Sequence, residues 1–244
     1  MHISAVIITK NSEKTLKRCL DSITNIADEI LIVDSGSTDH TLQIAESYGC
    51  ILIQTPWLGY GATKNLGHQA AKSPYILSLD SDEALSLFLV AEIEREKHQL
   101  RGLYGFKRLN NYCGQWIRHG AWNPDKKIRL FPKEIMWNHA SSHEQLILTE
   151  DQELYYFDSP ILHYAYNTED ELKSKVELYA RLGAQDRKHL SKTSAIVKMI
   201  CSPIVSFFKS YFIKLGFLDG LNGLKISYYI GLGTFLKYKY LLQS

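Results

Sequence analysis

Four apolar, β-rich runs at residues 3–8, 29–33, 50–53 and 75–79 are separated by stretches of helical character. In the first such stretch Leu16, Cys19, Leu20 and Ile23 recur at i, i+3, i+4 and i+7, the spacing of one helix face, with Asn11 or Ser12 as the expected N-cap. The second, residues 41–48, follows the turn DSGSTD, which supplies a glycine and capping side chains. The third, residues 61–72, closes before Pro74. Strands alternating with helices at this spacing build right-handed βαβ units, which predicts an α/β fold with a mostly parallel central sheet of Rossmann-like kind. After Leu100 the regularity lapses, and LYGFKRL, KIRLF and SPILHYAY lie among Gly, Asn, Trp and His. That pattern predicts an antiparallel or irregular half that completes the sheet and walls a site. Thr168 with Glu171 forms a capping box, which opens a helix running to about Lys188.

Ligands of open α/β sheets bind beyond the carboxyl ends of the strands. Those ends read TKN (9–11), DSGSTD (34–39) and DSDE (80–83), each polar directly after an apolar run. Asp34 is placed either to accept hydrogen bonds from ribose hydroxyls or a base N–H, or to cap the following helix. Gly59 and Gly61 allow close backbone approach, and Lys64 and Asn65 fall in the first turn of the third helix, where anions are favoured. No Gly-Lys-Thr/Ser triplet follows, so this is not a P-loop. Carboxylates two apart in extended chain point the same way, so Asp80 and Asp82 are expected to converge on a hard cation, Mg²⁺ or Mn²⁺, together with substrate phosphates. An EF-hand fails because the sixth position from Asp80 is Leu85 rather than Gly. A loop of solvated acids and an aspartyl nucleophile are the other readings, the latter more natural at the first strand than the fourth.

Charge divides the chain. From Arg187 to the end there are nine bases against the single acid Asp219, giving +8, whereas the preceding residues carry −6. Apolar clusters such as IVSFF, YFIKLGFL and YYIGLGTFL alternate there with Lys, and no 18-residue uncharged span occurs, so no transmembrane helix is expected. Amphipathic helices of this composition lie in a membrane interface and are drawn to anionic lipid, although packing on the catalytic domain or a second subunit remains open. Nucleic acid ranks last, because the Lys are spread among large aliphatics rather than clustered with Arg. The four cysteines form no C-x-x-C pair, which argues against a zinc site or disulfide framework and fits a reducing compartment. With no basic n-region before its short apolar run, the N-terminus does not read as a signal peptide, and the expected location is cytoplasmic.

The motifs AVIITKNSEKTLKRCLDSI, EILIVDSGSTDHTLQIAESYG, GYGATKN and ILSLDSDE together resemble the nucleotide-sugar half of the family 2 inverting glycosyltransferases of GT-A fold. The later segments WNPDKKIRLF, HEQL, ILHYAY and YFIKLGFLDGLNGLKISYYIGLGTFLKYKYL are similar to the bacterial lipopolysaccharide inner-core β-1,4-glucosyltransferases. The sequence departs from the family pattern at Lys10, where many members carry an aromatic. The resemblance implies a nucleotide-sugar half at 1–100, an acceptor-side half at 101–166 and a helical, basic and aromatic membrane-associating extension at 167–244.

It implies further that glucose passes from UDP-glucose to a heptose of a lipid-anchored glycan at the inner face of the inner membrane. Another glycolipid, a protein acceptor, or nucleotide-sugar binding without turnover are the alternatives. Asp80 and Asp82 fall on the family's D-x-D, which implies a metal bridging the donor phosphates. Thr9, Asn11, Asp34, Gly59, Lys64 and Asn65 fall where the family meets the donor. Arg129 either meets phosphate or forms a buried ion pair. Glu144 falls on the general-base position, with Glu83, Asp125 and Glu134 as rivals. His143 and His163 are candidates for the metal shell or a sugar contact, or are hydrogen-bonded core residues. Trp116 and Trp122 either stack on sugar or belong to the core.

Overall fold

The computed structural model describes residues 2–138 and 144–243. The chain divides into two compact units, Met1–Arg108 with Lys126–His163, and Leu109–Asp125 with Tyr164–Ser244.

The first unit opens with β1 (Ile3–Thr9), α1 (Leu16–Ile23), β2 (Glu29–Asp34), α2 (Thr41–Ser47), β3 (Ile51–Gln54), α3 (Tyr60–Ala70) and β4 (Tyr75–Asp80). The strands stand in the order β3-β2-β1-β4, all parallel, with Thr9 level with Asp34 and Ile8 level with Asp80. This register brings the three polar strand ends to one edge. Every residue of β1 is buried, because helices cover both faces. Ile3, Ala5 and Ile7 pack with α1, while Val6 and Ile8 pack with Val33, Phe131 and Trp137 on the other face. α3 lies so close to β1 that a Cβ on Gly67 would stand 2.3 Å from a Val6 methyl carbon. The order continues through β5 (Glu83–Leu85), α4 (Leu87–Glu96), β6 (Leu103–Tyr112), β7 (Gln115–Ile117), β8 (Lys126–Pro132), β9 (Leu154–Tyr156) and β10 (Ile161–Tyr166). β8 inserts antiparallel between β4 and β6, and β5 runs antiparallel to the start of β10. The sheet is therefore parallel where βαβ units build it and mostly antiparallel beyond, with β9 alongside β6 as a parallel exception.

The second unit is mainly α5 (Glu169–Gln185), α6 (Lys192–Phe208) and α7 (Gly220–Gln243). Thr168 caps α5 through Glu171 N–H at 3.2 Å, while Glu171 reaches back to the Asn167 N–H at 2.7 Å, one residue earlier than a standard capping box. Trp122 joins an apolar cluster with Tyr112, Leu172, Ile226 and Tyr229, so it is a core side chain. Trp116 packs edge-on against Tyr164. α6 continues through a wider turn at Lys209–Ile213, and within the 22 residues Lys192–Ile213 an 18-residue window reaches a mean hydropathy of 1.5. The Lys residues that break the run do not prevent this helix from being long and apolar enough, by length and composition, to cross a membrane.

Candidate active site

The strand-end turns are built from their own polar side chains. Asp34 is buried at the end of β2, and its four lone-pair positions are all taken. Oδ1 accepts from the Thr9 and Ser37 hydroxyls at 2.9 and 2.5 Å, and Oδ2 accepts from the Gly36 and Ser37 N–H groups at 3.0 and 2.8 Å. Asn11, at φ 52°, donates its N–H to Ser37 Oγ and accepts from the Thr38 N–H at 2.8 Å. The two turns are thus laced to each other. Ser12 does not cap α1, because its N–H goes to Thr41 Oγ1 and its hydroxyl to Ser81. α1 begins later, at Leu16.

At the end of β4 the acids meet a set of buried cations. Lys64, 1% exposed, extends from α3 to Asp80 Oδ1 at 3.1 Å and Glu144 Oε1 at 3.0 Å. Arg129, buried on β8, reaches Asp80 Oδ2 at 2.6 Å and Glu83 Oε1 at 2.7 Å. Arg108 adds a second cation to Glu83 at 3.1 Å, and Glu83 Oε2 accepts the Asp80 N–H at 3.0 Å. Burial alone would raise the Asp80 carboxyl, but Arg129 and then Lys64 outweigh it and hold that group well below the usual carboxylate range. The same two carboxylates hold the Arg129 guanidinium more firmly protonated, against the opposing effect of burial.

The extended-chain argument for Asp80 and Asp82 does not hold. Ser81 and Asp82 form a turn, so the two carboxylates part company. Asp80 faces Lys64 and Arg129, while Asp82 Oδ2 lies 3.5 Å from His163 Nε2. Asp82 Oδ1 is buried without a hydrogen-bond partner among the described residues. An orphaned carboxylate oxygen beside an imidazole suits a divalent cation. Among the described residues no three His, Cys, Asp or Glu side chains converge, so the remaining ligands of such an ion would be phosphate oxygens and water.

The other expected residues are placed as follows. Gly59, at φ 92°, precedes α3 in a backbone state that favours glycine. Asn65 is buried, and both ends of its carboxamide are bonded to the main chain of Trp137. Arg129 forms the buried ion pair, and no direct phosphate contact is needed to explain its burial. Of the rival bases, Glu83 is locked between two arginines. Glu134 is exposed and follows Pro132, which is level with Tyr75 at the opposite end of β4 from Asp80. Asp125 belongs to the second unit. His143 lies outside the described residues. Sequence reasoning did not anticipate Arg108 as a member of the cluster or Trp137 and His68 as its neighbours. Arg108 stands two positions after Phe106, which is buried, on an apolar strand, a signal that one basic residue there faces inward.

Residues 4–99 match the model of glycosyl transferase family 2. A Rickettsia bellii protein named as an uncharacterized glycosyltransferase is 32% identical over 96% of this chain and 84% of its own length. This chain belongs to glycosyltransferase family 2. As a family 2 glycosyltransferase it has the GT-A fold, a parallel βαβ region followed by a mostly antiparallel one, with a helical C-terminal region. The Rhizobium meliloti lipopolysaccharide core biosynthesis glycosyltransferase LpsC is 26% identical over 91% of this glycosyltransferase and 84% of LpsC. The crystal structure of S. aureus TarS 1–349 superposes with a TM-score of 0.49 at 17% identity, covering 74% of this chain and 64% of that one, a distant likeness.

Proposed function

We propose that this glycosyltransferase is an inverting hexosyltransferase that moves glucose from UDP-glucose to a heptose of the lipopolysaccharide inner core. The observation that carries the chemistry is the pair of carboxylates, Asp80 and Glu144, joined by one buried lysine beside the unsatisfied Asp82 oxygen. The near full-length likeness to a protein named for lipopolysaccharide core biosynthesis supports the acceptor class.

In this reading the nucleoside meets the Asp34 and Asn11 turns, where a ribose hydroxyl replaces the Thr9 or Ser37 hydroxyl on Asp34, a like-for-like exchange. Asp82 and His163 would hold Mg²⁺ or Mn²⁺, which would supply positive charge to offset what builds on the leaving UDP. Asp80, held by Lys64 and Arg129, orders the same edge from below. Glu144 accepts the proton of the acceptor hydroxyl as that oxygen bonds to C1 of the sugar, and the C1–O bond to the diphosphate breaks with its electron pair leaving on UDP. Lys64 occupies Oε1 of Glu144, so Oε2 is the oxygen that takes the proton.

Support for membrane association comes from the second unit. Ile196, Ile200, Ile204, Phe208 and Phe212 form an exposed i, i+4 stripe along α6, and the following corner exposes Ile213 at 76% and Leu221 at 77%. Such an apolar surface, next to Lys198, Lys209 and Lys214 and with Asp219 buried, suits anionic lipid and a lipid-anchored acceptor. The enzyme then works as a peripheral protein at the cytoplasmic face.

Calorimetric titration of UDP and UDP-glucose with and without Mn²⁺, run on the native protein and on Asp82→Asn, tests the donor site. Binding that strengthens with metal in the native protein and ignores it in the variant is expected. Binding indifferent to both metal and substitution would remove the metal from the scheme. UDP release in the presence of heptose-terminated core lipopolysaccharide tests the acceptor, and no release above the acceptor-free rate would reject it.

A further inference from the structure

α3 and the segment that leads to Glu144 are joined by a set of contacts that leaves little of α3 free to touch a donor. Residues 136–138 pair antiparallel with 145–147: Asn138 N–H donates to Gln145 O at 2.8 Å, Ile147 N–H to Met136 O at 2.8 Å, and Trp137 bridges Leu146. Glu144 directly adjoins this ladder. Asn65 grips its centre, its Nδ2 donating to Trp137 O and its Oδ1 accepting the Trp137 N–H, both at 2.9 Å. The Trp137 indole N–H reaches His68 Nε2 at 3.4 Å, and Lys64 Nζ lies 4.7 Å over the Trp137 ring. Gly61 has no Cβ because one would fall 2.0 Å from the Asn138 carbonyl oxygen. Gly61, Lys64, Asn65 and His68, at the i, i+3, i+4 and i+7 positions of one helix face, therefore hold a single tryptophan and its neighbour.

We infer that Gly61, Asn65 and His68 are positioning residues, which clamp the Trp137 ladder and through it set the place of Glu144, and that Asn65 is not a donor ligand. The inference rests on the assignment of Glu144 as the base. Asn65 satisfies both peptide groups of a buried residue, and it would have to abandon them to reach a nucleotide. A base displaced by about an ångström loses on the order of a hundredfold in rate while ground-state binding is spared.

The test measures Asn65→Ala in three ways: UDP affinity with Mn²⁺ by calorimetry, hydrogen exchange of the Asn138 and Ile147 amides, and the split between kcat and KM for UDP-glucose. The clamp predicts UDP affinity within twofold of the native protein, exchange at both amides faster by tenfold or more, and kcat reduced ten- to a hundredfold with KM nearly constant. Gly61→Ala, which crowds the Asn138 carbonyl and the Trp137 Cβ and leaves Asn65 in place, is expected to reproduce the pattern and serves if Asn65→Ala does not fold. A tenfold loss of UDP affinity with unchanged amide exchange would overturn the clamp and return Asn65 to the donor site. Unchanged exchange and unchanged kcat would overturn it equally. Glu144→Gln is measured alongside: if that variant keeps its turnover, the base assignment fails, while the exchange rates still decide whether the ladder is clamped.

Discussion

Arg129 and Ile200 are each in the place where the other type of residue belongs. Arg129 is 3% exposed on a strand of the first unit, whereas Ile200 is 60% exposed on a helix of the second. Neither is an isolated case: Lys64, Glu83 and Asp80 accompany the arginine, and an i, i+4 stripe of Ile and Phe accompanies the isoleucine. Hidden charge and displayed hydrocarbon are both costly to a protein that folds for stability alone. On the proposed function the two units meet different surroundings, one a charged small molecule and the other an anionic lipid surface. It also separates what each substitution should do: a change in the first unit should damage chemistry or folding, and a change on the α6 stripe should damage neither.

The sharpest way to break that division is Glu144→Gln. Removing the base should lower kcat by roughly 10²- to 10⁴-fold with UDP affinity retained; a rate within threefold of native would place the base elsewhere. Next comes Arg129→Leu, which leaves Glu83 with Arg108 alone and Asp80 with Lys64 alone. Urea unfolding should show a loss of about 3–5 kcal/mol, the usual effect of breaking a buried pair from one side. A loss under about 1 kcal/mol would mean that the cluster behaves like surface charge.

A gentler probe is pH. Burial, and secondarily Lys64, lowers the His68 imidazole to about 4 from an ordinary 6.5. Between those values the unfolded chain binds a proton that the folded chain does not, so this group's contribution is full above pH 6.5 and declines as pH falls toward 4. The slope is roughly 1 kcal/mol per pH unit, a few kcal/mol across the window. His68→Gln should flatten stability against pH in that window, and an unchanged slope would show that other groups set it. The smallest effect belongs to the second unit. Reversing Lys209 to Glu should weaken partitioning onto anionic vesicles by several-fold, in line with about 1 kcal/mol for each juxtamembrane Lys, with the melting temperature and kcat on soluble acceptor unchanged. Equal binding to neutral and anionic vesicles would contradict the role of the lysines.

Much of this organisation is legible in the sequence wherever local periodicity decides. Three of the four parallel strands begin at the expected residue, and all four end one residue later than expected, because each apolar run forms a single strand, buried in β1 and β4 and partly exposed in β3 at the sheet edge. The start of α1 was not legible, since Ser12 spends its polar groups on Thr41 and Ser81, partners 29 and 69 residues away. β5 and β9, three residues each, have no period to read and exist only through distant pairing. In the site, Asp80, Asp82 and Glu144 stood out as acids and Lys64 and Arg129 as cations, but which acid each cation meets did not. Lys64 and Arg129 come from other elements, and only the register of β4 with β8 and the close seat of α3 on β1 bring them together. Asn65 looked like a ligand because it opens a helix; that it faces inward depends on where Trp137 lies.

The turn around Asp34 has one more consequence. Its carboxylate already holds four donors from its own neighbourhood, and Asn11 ties the adjoining turn to it. On the proposed function a ribose hydroxyl exchanges for one of these donors while the other three keep the loop wound round its own anion, so a nucleoside meets a rigid mould rather than a floppy lip. Association at that rim should carry a small ordering entropy and show the same heat in a rigid donor as in a flexible one.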